Sequence, residues 1–246
     1  MNPERETRIR AVIRRSQPDL TVILENIYDP LNISAVLRSC DAVGVREVFV
    51  VYTQKYLDKR GLKVGKKTSG GAFKWIDVYV FEDLKTCFDR VRERYQRVLV
   101  THLGEQSQSL YDLDLTVSTA LLFGNEDEGV SAEALALADG NFLVPQYGFT
   151  ESLNVSVACA VSLFEAQRQR AAKGFYTTHP RFSPEEQKHL FERWNNMLVG
   201  KSWPRRFAIP VDKDSAPLLP VFVMREEFVF GKKKKIRPNP QTKFDL

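Results

Sequence analysis

Residues 144–172 join a polar loop to a helix, and this is the first stretch of the sequence that could do chemistry. The loop is rich in residues that turn the chain or form hydrogen bonds, namely Pro145, Gly148, Thr150, Ser152 and Asn154. Backbone N–H groups at a helix start bind polar ligand atoms, and open α/β sheets bind ligands in the loops that follow their strands. The stretch is therefore a candidate ligand site. An ordinary strand–loop–helix connection is the alternative.

Polar loops also follow three other apolar runs, at residues 25–32, 101–104 and 124–131. The predicted strands span residues 20–24, 47–51, 75–80, 97–101, 119–123 and 141–144. Because helical patterns separate these runs, the sequence indicates βαβ units and an α/β fold, with a parallel sheet and helices on both faces. The carboxyl ends of parallel strands share one edge of a sheet, so we expect the four loops to form a single site.

Helices are predicted over residues 3–17, from about residue 33 to Gly44, over 84–95, after Ser131, over 154–172 and from Pro184. Ser131 is a typical N-cap residue and Gly44 a typical helix end. In the helix over 154–172, the apolar residues at helical spacing are Val157, Ala158, Val161 and Phe164. They predict its apolar face. Its last turn and the residue beyond carry Arg168, Arg170 and Lys173.

Composition limits the class of protein. The chain has 246 residues, 43% of them hydrophobic, with a net charge of +5 and a pI near 9.0. This hydrophobic fraction is typical of a globular protein, and the positive charge favours an acidic partner such as nucleic acid. No apolar run approaches the roughly 18 residues of a membrane span, and the first ten residues lack the apolar segment of a signal peptide. We therefore expect a cytoplasmic protein that does not cross a membrane.

The cysteines and histidines show no metal-ligand spacing, so no metal is expected. Cys40, Cys87 and Cys159 are far apart and lie in apolar or helical contexts, as small core residues do in a reducing compartment. The histidines are His102, His179 and His189, and they form no ligand pattern.

Basic residues are concentrated in three places. The helix over 3–17 carries Arg5, Arg8, Arg10, Arg14 and Arg15 around the apolar residues Ile9, Val12 and Ile13. It is either a solvated helix docked by its apolar side or an arm that binds the backbone of RNA or DNA. A basic loop over 53–75 includes Lys66, and a lysine run at 232–235 is either a solvated tail or an RNA contact.

The composition divides the chain into three parts. A basic helix occupies residues 1–18, the α/β domain occupies 19–175, and a helix followed by an irregular basic tail occupies 176–246. Residues 175–184 look like a linker, and six of the twelve prolines lie after residue 199.

Three segments carry an uncommon combination of residues in a fixed order. They are 32–44, with Asn32 and Arg38; 122–131, with Gly124 and Glu126; and 144–158, with Asn154. Together they resemble the SpoU (TrmH) family of RNA ribose 2′-O-methyltransferases. The likeness extends to residues 68–71 and 164–170 and covers about 4–175. These flanking pieces are most like the tRNA-modifying branch, which methylates the ribose of guanosine 18 in the D-loop.

The resemblance implies a fold and partners that residue patterns do not reveal. The carboxyl-terminal part of the sheet would thread through a loop to form a trefoil knot of the SPOUT type, which is rare among proteins. The cofactor S-adenosylmethionine would bind in the knotted loops, tRNA would be the substrate, and a homodimer would form with each site completed by the partner subunit. A ribosomal-RNA ribose methyltransferase of the same family and a non-catalytic RNA-binding protein of this fold are the alternatives.

The resemblance also assigns roles to individual residues. Arg38 would be either a true base or a group that orients the 2′-hydroxyl and phosphate, with Asn32 holding both Arg38 and the phosphate in place. Glu126 and Asn154 would fix the loops by hydrogen bonds. Residues that line the cofactor would be Thr101, Gly124, Val144, Ser152 and Leu153. Residues that contact RNA would be Arg5, Arg8, Arg15, Lys66 and Arg168.

Overall fold

The computed structural model describes residues 3–27, 29–53, 71–150, 152–199 and 209–211. Its helices are α1 Pro3–Arg14, α2 Pro30–Val43, α3 Leu84–Arg92, α4 Ala132–Leu137, α5 Val155–Ala172 and α6 Pro184–Val199. Its strands are β1 Leu20–Glu25, β2 Glu47–Val51, β3 Asp77–Phe81, β4 Arg97–Thr101, β5 Gln108–Ser109, β6 Thr119–Phe123, β7 Gly140–Leu143 and β8 Ile209–Val211. Among the described helices, none is both long and apolar enough to cross a membrane.

All eight strands belong to one sheet, in the order β5-β7-β4-β6-β1-β2-β3-β8. Every neighbouring pair is parallel, which confirms the predicted parallel sheet. The predicted strand over 75–80 begins and ends later, at Asp77 and Phe81, and the predicted strand over 20–24 continues through Glu25. The two edge strands, β5 and β8, contain only two and three residues.

Successive residues of β1 point to opposite faces of the sheet, and each face has its own core. Val22 and Leu24 pack in a cluster with residues of α2 and α5, whereas Ile23 packs with residues of α3 and α4. This alternation follows from the period of two in a strand. Helices therefore cover both faces, as predicted. Both clusters contain cysteines, and all three cysteines are buried, which confirms that they are core residues.

Helix α2 begins one turn earlier than the sequence suggested. Asp29 is its N-cap, with a carboxylate oxygen that accepts a hydrogen bond from the N–H of Leu31 at 2.8 Å. Pro30 then suits the first helical position because the missing N–H would have had no helical partner there. Gly44 ends the helix as predicted, with φ of 89° and no room for a side chain, since a Cβ would lie 2.7 Å from the carbonyl oxygen of Arg15.

The first and last helices pack against each other. Ile9 and Ile13 of α1 form a small buried cluster with Trp194 of α6, so α1 is docked by its apolar side. Helix α6 begins with a capping box, in which Ser183 N–H donates to the Glu186 carboxylate at 2.8 Å and Glu186 N–H donates to Ser183 Oγ at 3.3 Å. The predicted helix start at Pro184 is confirmed.

One expectation for the region after residue 174 was wrong. The segment predicted as a linker is bound to the core, because the Tyr176 hydroxyl donates to the carbonyl of Val43 at 2.8 Å and Arg181 donates to Asp19 at 3.0 Å. Within the tail, residues 209–211 form strand β8, which pairs with β3. The lysine run at 232–235 lies outside the described residues. The division into parts at residues 18 and 175 stays a prediction.

Arg170, near the end of α5, is fully buried despite its place beside exposed basic residues. Its guanidinium donates to Asp19 Oδ1 at 2.6 Å, to Gln17 Oε1 at 3.1 Å, and to the carbonyl oxygens of Leu115, Val117 and Asp19 at 2.9–3.2 Å. These bonds tie the end of α5 to the segment that enters β1 and to the segment that enters β6. No local pattern of residues indicated this role.

Candidate active site

The four polar loops meet at one edge of the sheet, as the sequence predicted. Strands β7, β4, β6 and β1 are neighbours in the sheet. Because these strands are parallel, their carboxyl ends lie side by side and carry Val144, Thr101, Gly124 and Asn26 into the loops. We call this the carboxyl edge.

The loop between β6 and α4, residues 124–131, is tightly folded. A Cβ at Gly124 would lie 2.1 Å from the backbone carbonyl of Gly129, so only glycine fits there. Asn125 and Gly129 pair through two backbone hydrogen bonds of 3.1 Å. The Asn125 side chain accepts from the N–H groups of Asp127 at 2.9 Å and Glu128 at 2.6 Å. This β6–α4 loop is therefore a compact turn that presents its tip to solvent.

Three residues predicted to be catalytic form one hydrogen-bonded set. The side-chain amide of Asn32 donates to Glu126 Oε1, and the Asn154 amide donates to Asn32 Oδ1 at 3.1 Å. Asn154 Oδ1 also accepts from the N–H of Ser156 at 2.9 Å and so caps α5. The members lie 94 and 122 positions apart in sequence, and all three reach solvent. The set connects the starts of α2 and α5 to the tip of the β6–α4 loop.

Arg38 does not join this set within the single chain. It is exposed on α2, and no hydrogen bond or ion pair links it to another residue that the structure describes. Helical periodicity places it about 120° around the axis from Asn32, on the flank that also carries the exposed Leu31. Within one chain Asn32 thus contacts Glu126 and Asn154, and its role toward Arg38 stays a prediction.

The residues predicted to line a cofactor surround the same edge. Thr101, Val144 and Leu153 are half-buried, Gly124 is buried and Ser152 is exposed. The Thr101 hydroxyl donates to the carbonyl of Leu122 at 3.2 Å, which fixes the end of β4 against β6. Leu103, in the loop after β4, is 63% exposed. The edge therefore offers apolar side chains and loop backbone to a ligand, next to the exposed carboxylates of the β6–α4 loop.

Residues predicted to contact RNA are distributed over the surface. Arg5, Arg8 and Arg15 are exposed on or just after α1, and Lys66 lies outside the described residues. Arg168 is exposed and donates twice to the Glu165 carboxylate, at 2.9 and 2.8 Å.

A basic groove between α1 and α6 was not anticipated. Its volume is about 570 Å³, and its basic lining residues are Arg10, Arg14, Arg15 and Lys188. It lies beside the chain that enters the amino end of β1, away from the carboxyl edge, so it is separate from the hydrogen-bonded set of Asn32, Glu126 and Asn154.

Glu25, the last residue of β1, is a second feature that the sequence reading missed. Its side chain is only 1% exposed, and Oε2 accepts a hydrogen bond from the N–H of Ser131 at 3.1 Å. Oε1 is buried and has no partner among the described residues. Burial raises the pKa of this carboxyl above its ordinary value, although the Ser131 hydrogen bond opposes the change. The available signal was a carboxylate directly after an apolar strand, which we had assigned to a polar loop.

Metal binding has no support in the described part of the chain, where no group of three or more histidine, cysteine, aspartate or glutamate side chains could hold an ion.

Comparisons with known proteins agree with this arrangement. Residues 19–164 match the sequence model of the SpoU rRNA Methylase family. A tRNA (guanosine(18)-2'-O)-methyltransferase of Thermus thermophilus is 48% identical over 190 residues, which cover 77% of this chain and 95% of the relative.

Two solved structures share the fold. The A. aeolicus TrmH/SpoU tRNA modifying enzyme aligns with a TM-score of 0.72 at 34% identity, over 80% of this chain and 97% of that one. The SpoU methyltransferase AviRb of Streptomyces viridochromogenes, in complex with the cofactor AdoMet, aligns with a TM-score of 0.54 at 26% identity, over 63% of this chain and 62% of that one. With its family match over residues 19–164 and its parallel sheet in common with these structures, this chain belongs to the SpoU methylase family.

Proposed function

We propose that this protein transfers a methyl group from S-adenosylmethionine to the 2′-hydroxyl of a tRNA ribose, at guanosine 18 of the D-loop. The observation that carries the proposal is the hydrogen-bonded set of Asn32, Glu126 and Asn154 at the carboxyl edge of the sheet. The Thermus thermophilus relative, whose name states this reaction, aligns with most of both chains.

The residues at the carboxyl edge fit S-adenosylmethionine. Leu103, Val144 and Leu153 offer apolar surface suited to an adenine ring, and the loops after β4, β6 and β7 offer backbone polar groups suited to its ribose. The exposed carboxylates of the β6–α4 loop suit a positive charge. When bound, the cofactor supplies a methyl group on a sulfonium sulfur.

The protein must align a ribose hydroxyl and receive its proton while an O–C bond forms and an S–C bond breaks. Alignment alone lowers such a barrier substantially. Asn32, Glu126 and Asn154 hold the two helix starts and the β6–α4 loop in one geometry around the reacting groups. Arg38 either takes the proton as a base or orients the hydroxyl and offsets the developing negative charge.

A homodimer would bring Arg38 to the catalytic set of the partner subunit. Val157 and Phe164 belong to the predicted apolar face of α5, and they are 46% and 50% exposed. Leu31 and Arg38 share the exposed flank of α2, the helix on which α5 packs. The exposed apolar side chains of Leu31, Val157 and Phe164 form a surface that fits a second copy of the chain across a two-fold axis.

Phe164→Glu tests this interface. A charge placed in the apolar face should shift the protein from dimer to monomer at micromolar concentration and lower methyl transfer with it. Light scattering after size-exclusion chromatography at several concentrations gives the mass. Lys85→Glu, at an exposed site of α3 on the other face of the sheet, is the control and should stay dimeric. A dimer in Phe164→Glu, or a monomer in the unmodified protein, would exclude this interface.

A trefoil knot is proposed for the carboxyl-terminal part of the domain. The order β7-β4-β6 in the sheet and the return of α5 onto α2 support a path in which the chain after β7 passes through a loop formed earlier. The exposed arginines of α1 and Arg168 are proposed to contact the tRNA backbone. A tRNA substrate and three unpaired, buried cysteines support a cytoplasmic location.

Labelled methyl transfer tests the function directly. The protein is incubated with labelled S-adenosylmethionine and either unmodified tRNA or ribosomal-RNA transcripts, and the methylated nucleotide is mapped. We expect label at guanosine 18 of tRNA and none in tRNA that carries 2′-deoxyguanosine there. Label only in ribosomal RNA would favour the ribosomal alternative. No transfer, together with no thermal shift with S-adenosylhomocysteine, would favour a non-catalytic RNA-binding protein.

A further inference from the structure

The carboxyl end of β1 is held on both sides. On the β2 side, Asn26 adopts a left-handed backbone with φ of 51° and exchanges two hydrogen bonds of 2.9 Å with Thr53. On the β6 side, the carboxylate of Glu25 accepts the N–H of Ser131 at 3.1 Å. Glu25 is therefore the link between the end of β1, which leads to Asn32, and the far end of the β6–α4 loop.

The β6–α4 loop has two attachment points, and only one belongs to the sheet. At its start, Gly124 directly follows β6, which is paired with β1. At its end, Ser131 is the N-cap of α4, and its side chain is occupied by the N–H of Ala134 at 3.1 Å. The backbone N–H of Ser131 is thus fixed by Glu25. The hydrogen bonds of Asn125 hold the loop together internally. Loss of the bond at Ser131 would therefore let the whole loop tilt about the end of β6.

We propose that Glu25 is a positioning residue. It holds the β6–α4 loop in the position in which Glu126 accepts the hydrogen bond from Asn32. Glu25 does not touch the reacting groups and acts through Glu126. The inference rests on the proposed methyl transfer for its kinetic consequences, whereas the placement of the loop is measurable without it.

Two features argue against a purely structural role. Oε1 is buried without a partner among the described residues, and buried polar atoms without a partner destabilise a fold. Among the described residues, the nearby ionisable groups are Glu133 on α4 and Cys87 on α3, and neither is a cation that would offset the charge of the carboxyl. A methionine of similar length would remove the unpartnered oxygen and lose only the hydrogen bond from Ser131, so the fold should tolerate it. A residue that opposes stability at a site's edge is typical of selection for function.

The test compares Glu25→Gln with Glu25→Met. Glutamine keeps an oxygen that can accept the Ser131 N–H, whereas methionine keeps the length and removes the acceptor. We expect Glu25→Gln to retain kcat and Glu25→Met to lower it by about 10- to 100-fold, as when other residues that support a site are removed. The KM for S-adenosylmethionine should change less than kcat. Thr21→Val, which removes a buried hydrogen bond at the amino end of β1, is the control and should keep kcat.

A double-mutant cycle with Glu126→Ala identifies the route of action. If Glu25 acts through Glu126, adding Glu25→Met to Glu126→Ala should cause little further loss of kcat. Additive losses, normal kcat in Glu25→Met, or failure of Glu25→Gln to preserve kcat would each overturn the proposal.

Amide hydrogen exchange reads the loop itself and does not depend on activity. We expect faster exchange in peptides over 124–134 for Glu25→Met and unchanged exchange for Glu25→Gln. Unchanged exchange in Glu25→Met would overturn the proposal even in an inactive protein.

Should Glu25→Met not fold, the inference that an apolar residue is tolerated there would be wrong. Glu25→Gln would then decide the role of the acceptor by its exchange and kcat. If the unmodified protein methylates no RNA, the proposed function fails and the exchange result still stands.

Discussion

Replacing Arg38 with alanine should lower kcat by about 10²- to 10⁴-fold, the range for loss of a group that handles a proton in the transition state. Arg38 is exposed and makes no structural bond among the described residues, so thermal stability and affinity for S-adenosylmethionine should be unchanged. Single-turnover methyl transfer to tRNA measures the effect. Arg90→Ala, on α3 at the other face of the sheet, is the control. Full activity in Arg38→Ala would remove Arg38 from the reaction.

Arg38→Lys separates the two roles that the sequence left open. A free lysine ammonium loses its proton near pH 10.4, so a base role predicts activity that rises with pH toward that range. An orienting role predicts low activity at all pH values, because an ammonium lacks the planar fork of the guanidinium. Since Arg38 is exposed in the single chain, a base role would also require burial by the partner subunit.

Mixed dimers show whether Arg38 acts across the interface. When equal amounts of Arg38→Ala and Glu126→Ala, each of low but measurable activity, are mixed and allowed to exchange subunits, random pairing makes half of the dimers mixed. Each mixed dimer has one intact site if Arg38 serves the partner's catalytic set, which gives about a quarter of full activity. No recovery would mean that Arg38 and Glu126 act within one subunit.

Replacing Arg170 with methionine should destabilise the fold by about 3–5 kcal/mol, the usual result of removing one partner of a buried ion pair. Asp19 Oδ1 would lose its 2.6 Å hydrogen bond from Arg170, and the carbonyls of Leu115 and Val117 would lose their donor. Urea unfolding measures the change. Arg168→Met removes an exposed arginine two residues earlier and should leave the stability nearly unchanged. Equal stability of the two variants would show that the hydrogen bonds of Arg170 do not stabilise the fold.

The same ion pair predicts a pH dependence. Burial alone would raise the pKa of Asp19, but Arg170 and Arg181 outweigh it and hold the pKa below the ordinary carboxyl value. A lowered folded-state pKa contributes stability above the unfolded value, near 3.9 for aspartate, and that stability is lost as the pH falls through the folded value. The unmodified protein should therefore lose stability more steeply in acid than Arg170→Met does. Equal acid profiles would show that Arg170 does not control the titration of Asp19.

The strands and the position of the site could be predicted because each depends on a local pattern. Buried parallel strands read as short continuous apolar runs, as in 47–51 and 119–123, where predicted and observed bounds coincide. Parallel strands then place the loops after them on one edge, whatever the order of the strands. The start of α2 was missed because Pro30 was read as part of a turn, whereas Asp29 and Pro30 together begin the helix.

The rest depended on distant contacts that no local pattern contains. An arginine in the last turn of a helix is usually solvated. Arg170 is buried because the segments before β1 and β6 both lie against it and accept its hydrogen bonds. Helical spacing identified Val157 and Phe164 as one apolar face but does not tell whether a helix packs on its own chain or on another. In the sequence Glu25 begins a polar run, whereas in the structure it is the last residue of strand β1.

The shortness of β5 and β8 restricts how copies of this protein can associate. An open sheet normally exposes unpaired N–H and carbonyl groups along its outer strands, and these can recruit a strand from another molecule. Among the described residues, the outer strands have two and three residues, which offer few backbone groups for such recruitment. Copies of this protein should therefore associate through side chains on helices. Their sheets should not join edge to edge into fibres.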